Sequence, residues 1–190
     1  MSNTSTSAPA TLADLAGSWT IDPSHSSIGF VARHAMVTKV RGAFNEFEGS
    51  ATVDADDFSR SRVAVVIKAE SIDTRNEQRD EHLRSNEFFA MDQYPQITFT
   101  STAVSKTSAS ALELTGDLTI KGVTRTVTVP FEFEGVANDP FGNLRAGFEG
   151  AVTINRKDYG VTWNAALETG GVLVSDKITL EFEVSAIKNA

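Results

Sequence analysis

The chain has 190 residues, 41% of them hydrophobic, no cysteine and a formal net charge of −8. The missing cysteines exclude disulfides, thiolate catalysis and zinc–thiolate sites, and the acidity argues against nucleic acid and against stable docking on anionic lipid. No apolar run approaches the roughly 20 residues of a membrane-spanning helix, and twelve Phe beside two Trp and two Tyr favour large interior surfaces with few polar atoms.

In chain order, Met1 to Gly17 is rich in Ser, Thr and Ala and carries no Lys, no Arg and no continuous apolar stretch. It is therefore not read as a signal peptide, and a cytoplasmic protein is expected. Residues 1–16 are expected to form a flexible tail in which Thr11 to Leu15 could make one capped turn, and residues 17–190 a single domain. Asp22-Pro23-Ser24 is a turn signal that His25 would stabilise. Ile28, Phe30, Ala32, His34 and Met36 then share one face of an alternating run, with a turn expected at Thr38-Lys39.

Ile72 to Phe99 breaks this pattern. Thr74 and Glu77 form a T-x-x-E helix-start signal, and Leu83 is the only aliphatic residue between Thr74 and Glu87. Such a helix is too polar for a core. With Phe88-Phe89 and Tyr94-Pro95 at its end, it reads as a cap laid across a β scaffold.

Alternation resumes in Leu112, Leu114, Gly116, Leu118 and Ile120, followed by a turn at Gly122-Val123. Val127, Val129, Phe131 and Phe133 form the next apolar face, and Asp139 to Asn143 is a longer corner. Leu144, Ala146, Phe148, Gly150, Val152 and Ile154 follow. After a long connection at Asn155 to Gly171, the last face runs through Val174, Asp176, Ile178, Leu180, Phe182, Val184 and Ala186. A period of two marks a sheet buried on one side and wet on the other. Short connections make successive strands antiparallel neighbours. The expected fold is all-β: an elongated eight-stranded antiparallel up-and-down barrel with a short helical insert at one end. Strands on the order of 12 residues would be roughly 40 Å long at about 3.3 Å per residue, which suits an elongated barrel better than a sandwich.

Catalytic signatures are scarce: there is no G-x-S-x-G elbow, P-loop, dinucleotide fingerprint or H-E-x-x-H. His25, His34 and His82 lie far apart, so neither a metal site nor a cofactor is expected. Arg79-Asp80-Glu81-His82 is the densest polar cluster. It reads either as general acid–base chemistry by Asp80 and His82 or as a locally paired surface that holds the cap in shape. His34 reads either as a satisfied core imidazole or as a polar anchor inside a cavity. The Phe-rich faces likewise allow ordinary core or the wall of an elongated cavity, with Ala32, Gly116, Ala146, Gly150 and Ala186 leaving room. Burial is worth roughly 0.8 kcal/mol per CH₂, so a five-carbon unit contributes about 3–4 kcal/mol before ordering costs. A long apolar guest would then bind with hardly any head-group contact.

Several segments, taken in order, carry a family resemblance. They are Trp19-Thr-Ile-Asp22-Pro-Ser-His25-Ser, Phe30-Val-Ala-Arg-His34, Ile72-Asp-Thr74, Arg79-Asp80-Glu-His82-Leu83, Phe88-Phe89, Tyr94-Pro95 and Phe99. Gly116-Asp-Leu118-Thr-Ile120-Lys-Gly122-Val-Thr124 and Arg156-Lys-Asp158-Tyr-Gly160-Val complete the set. From about Gly17 to Ile187 the chain resembles the YceI family, bacterial proteins with an extended lipocalin-like barrel that bind polyisoprenoid or related long-chain lipids. The resemblance implies a pore holding an isoprenoid chain, the insert near one end, and a homodimer. It supplies no catalytic residue. Many members are exported, and the N-terminal stretch departs from them, which favours an intracellular quinone or isoprenoid.

The expected function is binding of a long apolar lipid, a polyisoprenoid or isoprenoid quinone, as a carrier, storage or sequestering protein. Strand parity and the resemblance nominate Phe30, Phe44, Phe99, Leu118, Phe131, Phe133, Phe148, Trp163 and Leu180 as pore lining, with His34 and Tyr94 for a polar head group. The alternative is an enzyme acting on an isoprenoid or quinone at the barrel mouth through Asp80 and His82.

Overall fold

The structure, a computed structural model, describes residues 10–190. The strands are β1 Gly17–Ile21, β2 Ser27–His34, β3 Thr38–Phe44, β4 Phe47–Val53, β5 Arg62–Lys68 and β6 Ile72–Asp73, then β7 Gln96–Lys106, β8 Ala111–Ile120, β9 Val123–Asn138, β10 Leu144–Asn155 and β11 Lys177–Lys188. The helix α1, Glu77–Arg84, lies between β6 and β7.

These 11 strands form one antiparallel sheet that closes where β11 pairs with both β1 and β2. The first six strands are three long staves, each interrupted once. Pro23 lacks a backbone N–H, and the Asp22 carboxylate caps Ser24, so the chain makes a 3-10 turn between β1 and β2. Neighbouring breaks at Asn45-Glu46 and Ala69–Ser71 are stitched by Asn45 N–H to Ser71 O (3.1 Å) and Lys68 N–H to Glu46 O (3.0 Å). Joining β1 to β2, β3 to β4 and β5 to β6 leaves eight staves in up-and-down order, the expected barrel.

The later strands are long, with β9 reaching 16 residues. A register shift opposite Gly147-Phe148 gives β9 an extra residue at Glu134, and Gly135 takes the left-handed backbone there (φ 124°). The β8–β9 hairpin turns on Lys121 and Gly122, both at positive φ, where a Cβ on Gly122 would lie 2.6 Å from the Tyr94 ring.

The first hairpin differs from expectation. The chain reverses at Ala35 and Met36, both at positive φ, with Val37 N–H donating to His34 O (3.1 Å), rather than at Thr38-Lys39. The apolar face of β2 therefore ends at Ala32. His34 and Met36 keep its parity but are exposed at the hairpin tip and stand outside the bore wall.

The hairpin tip, the insert, the β8–β9 turn and the 156–176 connection sit at one end of the barrel. The other end receives the chain at Leu12–Asp14, a 3-10 turn capped by Thr11 and Asp14. Leu12 is 0% and Leu15 2% exposed, packed with Trp19, Val104 and Leu112. The Trp19 indole N–H donates to Leu15 O (2.8 Å). The capped turn expected at Thr11 to Leu15 is thus present, but its leucines belong to the core and not to a tail. The rest of the expected tail, residues 1–9, lies outside the described residues. Among the described residues, no helix is long and apolar enough to cross a membrane.

Candidate functional site

Between the two end clusters runs an apolar bore of about 310 Å³ to which every stave contributes side chains. Its openness has a local cause. Phe30 faces Gly42 across the β2–β3 pair, and Phe131 faces Gly150 across β9–β10. A Cβ on Gly42 would come 2.2 Å from the Phe30 ring, and one on Gly150 2.6 Å from Phe131. Phe99 covers Gly116 in the same way at 2.5 Å. The rings therefore lie against the wall over glycines instead of crossing the lumen.

Of the nominated residues, Phe30, Phe44, Phe99, Leu118, Phe131, Phe148 and Leu180 line this bore. Phe133 is buried but packs in the far-end cluster against Phe148, with ring centroids 5.5 Å apart, and is not in the bore wall. His34 is neither a core imidazole nor a cavity anchor: it is exposed and bridges to Val174 at the rim. Tyr94 is 37% exposed and covers Gly122 from outside. Trp163 lies outside the bore wall and joins the second long connection to the insert, its ring centroid 4.6 Å from His82 in an edge-to-face contact and 5.3 Å from Phe88 in a tilted one.

The insert is a hydrogen-bonded clasp. Asn76, not Thr74, caps α1, accepting from Arg79 N–H at 2.9 Å. Thr74 is instead the hub. Its N–H and hydroxyl donate to the buried Asp80 carboxylate at 2.9 and 2.5 Å. Arg79 donates to the Thr74 hydroxyl and carbonyl, both at 2.7 Å. Two residues further along the helix, His82 points away to meet the Glu87 carboxylate, Phe88 and Trp163. Asp80 and His82 thus serve separate contacts and do not form an acid–base pair. His25 does stabilise its turn, with Nδ1 2.7 Å from the Asp22 carboxylate.

The second long connection is organised by a buried arginine. Arg156 donates to four backbone carbonyls: Ser175 through Nε (2.8 Å), Val161 and Trp163 through Nη1 (2.8 and 2.9 Å), and Val174 through Nη2 (3.3 Å). Burial lowers its pKa. Asn164 fastens Val174 from both sides, accepting from its N–H (3.0 Å) and donating to its carbonyl (2.8 Å). Arg156 and Tyr159 are the polar side chains that line the bore at this end. Sequence reasoning placed both in a motif but gave neither a role, because an irregular segment has no period from which to read a facing. Leu12 and Leu15 escaped for a similar reason: two leucines three apart are too short a run to register as amphipathic.

Among the described residues, no group of three or more His, Cys, Asp or Glu side chains is arranged to hold a metal ion. The arrangement offers a long apolar surface with the insert at one end and Leu12 and Leu15 at the other.

Comparison with known proteins matches a family model described as a YceI-like domain to residues 19–186. A UPF0312 protein of Staphylococcus aureus strain MSSA476 is 42% identical over 169 residues, 88% of this chain and 95% of the relative. Burkholderia cenocepacia BcnA superposes with a TM-score of 0.76 at 25% identity, over 87% of this chain and 98% of the other. The Campylobacter jejuni YceI protein does so with 0.71 at 30%, over 83% and 90%. A polyisoprenoid binding domain from Saccharophagus degradans shares the fold with 0.70 at 14%, over 90% and 98%.

Proposed function

The chain belongs to the YceI-like family, and from that premise we propose that it binds a long apolar lipid, a polyisoprenoid or isoprenoid quinone, inside the barrel. There it carries, stores or sequesters the lipid. The observation that carries this reading is the apolar bore itself, walled by all eight staves and kept open by phenylalanines laid over glycines. The Saccharophagus degradans domain of the same fold, itself a polyisoprenoid binding domain, supports the choice of guest. Phe30, Phe44, Phe99, Leu118, Phe131, Phe148 and Leu180 would contact the isoprenoid chain. Each buried CH₂ contributes roughly 0.8 kcal/mol, so a chain of several five-carbon units needs little help from its head.

The enzymatic alternative has no comparable support, since Asp80 is engaged by Thr74 and His82 by Glu87. The family resemblance further leads us to propose a homodimer, which sedimentation at the mass of a single chain would overturn.

Mass spectrometry of a solvent extract from the purified protein tests the main reading. The expected result is one isoprenoid lipid per chain. A folded protein that yields no lipid, and takes up neither geranylgeraniol nor a prenylated naphthoquinone, would sink it.

A further inference from the structure

One buried polar atom in the bore wall is unexplained by the barrel. Tyr159 is 2% exposed and lines the bore, and its hydroxyl is buried with no hydrogen-bond partner among the described residues. A buried tyrosine hydroxyl ordinarily finds a partner, and leaving one unpaired costs about 1–3 kcal/mol. Phenylalanine would fill the same space without that cost, and this chain uses it at several other places in the wall. By contrast Ser61, a hydroxyl liner near the far end, accepts from Asp54 N–H at 3.0 Å.

The backbone that presents Tyr159 is fixed from several sides. Asn155 caps the turn by accepting from Lys157 N–H (3.0 Å), and Gly160 ends it in the left-handed conformation at φ 73°. Lys121 and Arg125 donate to the Gly160 and Asp158 carbonyls at 3.3 and 3.2 Å. The ring hangs from this turn into the barrel end, against the cluster containing Phe88, Leu118 and Ile120. Arg156, three residues earlier and also in the wall, brings a positive charge whose counter-ion Asp176 is 4.0 Å away and partly in water. An unpaired donor thus stands where the wall is otherwise largely apolar.

Resting on the lipid-binding reading, we infer that Tyr159 is the head-group residue: its hydroxyl donates a hydrogen bond to an oxygen of the bound lipid, at the insert end of the bore. The guest is then an oxygen-bearing isoprenoid, a prenol or a prenylated quinone, and not a plain hydrocarbon. Its head lies under the insert and its tail runs toward Leu12 and Leu15. Burial raises the Tyr159 pKa, which keeps the hydroxyl protonated as a donor at neutral pH.

The test is Tyr159→Phe, which removes only the oxygen. Competition for the bore would be measured with geranylgeraniol, a tetraprenyl naphthoquinone and a twenty-carbon isoprenoid hydrocarbon. We expect the variant to lose about five- to tenfold affinity for one or both oxygenated ligands and to keep hydrocarbon affinity within about twofold. Its ligand-free thermal midpoint should stay level or rise, because an unpaired buried hydroxyl has been removed. A selective loss on the quinone alone assigns the acceptor as a carbonyl, and on the alcohol alone as a hydroxyl; either supports the inference. Equal losses on all three ligands, no loss on either oxygenated one, or a lowered midpoint without selectivity would overturn it. If none of the three binds the unsubstituted protein, it is the lipid-binding reading that has failed.

Discussion

At the insert end of the barrel, closure is polar and cross-braced: Asp80 and Arg79 converge on Thr74, Arg156 ties four carbonyls, and His82 and Phe88 pack on Trp163. At the far end, closure is apolar and lightly tied. Leu12 and Leu15 fill the opening, held to the wall by Leu12 N–H to Ala109 O (3.2 Å) and by the Trp19 indole. The contrast separates two ways of sealing a cavity. Directional bonds fix one geometry and leave costly unpaired groups when broken. A plug held by burial loses its transfer energy but strands few polar atoms, so it can open locally.

The largest effect should come from the polar end. Arg156→Met strands four carbonyls and should cost about 4 kcal/mol in urea unfolding; a loss under about 1 kcal/mol would show that the brace is decorative. Next, Leu12→Ala should cost about 3 kcal/mol by the same measurement, as for other buried leucines. Paired with Leu15→Ala, it should also let the bore accept a longer isoprenoid chain than the unsubstituted protein does. Unchanged stability and unchanged chain-length preference would return the segment to the tail. Asp80→Ala should cost about 2 kcal/mol by leaving the Thr74 donors unpaired. It should spare lipid affinity in the protein that remains folded, whereas a selective loss of lipid turnover would revive the enzymatic reading.

Acid should distinguish the two halves most mildly. On the outer wall of the far half, Arg145 bridges Asp22 (2.7 Å) and Asp139 (2.8 Å). The Arg145 guanidinium, with the Ser24 hydroxyl and His25, holds the Asp22 carboxyl well below the usual carboxylate range. For Asp139, the Asn143 backbone N–H is the main cause, followed by Arg145. Both native values lie below the unfolded value of about 3.9. Their stabilisation is therefore complete above about pH 4 and is lost as the pH falls through the native values. Urea midpoints followed from about pH 5 to about pH 2 should fall more gently in Arg145→Gln than in the unsubstituted protein. Parallel curves would remove the triad from the acid response.

Much of the wall was legible. In β8 and β11 the period of two holds from end to end, and Leu118, Leu180 and Phe182 face the bore as parity requires. Parity misled at a hairpin tip. His34 continues the β2 face, yet it is the last residue before the reversal at Ala35 and Met36, and its side chain stands in solvent at the rim. Phe133 misled differently, since an inward residue near the far end meets the plug and Phe148 before it meets the lumen. The dense charge around Asp80 suggested chemistry, but burial and Thr74 have consumed its acceptor.

Alternation, turn residues and the polar insert determined by themselves that this chain is an eight-stave antiparallel barrel, because strand parity is a local property of the backbone, while its motifs carried the family resemblance. Which residues close the barrel, and which polar atom faces the bore, was decided only by the tertiary structure. Leu12, Arg156 and Tyr159 sit in segments without a period, and their roles depend on partners up to about a hundred residues away, such as Ala109 for Leu12 and Leu118 for Tyr159. Local pattern carries no information about such partners, which meet only in the folded, closed barrel.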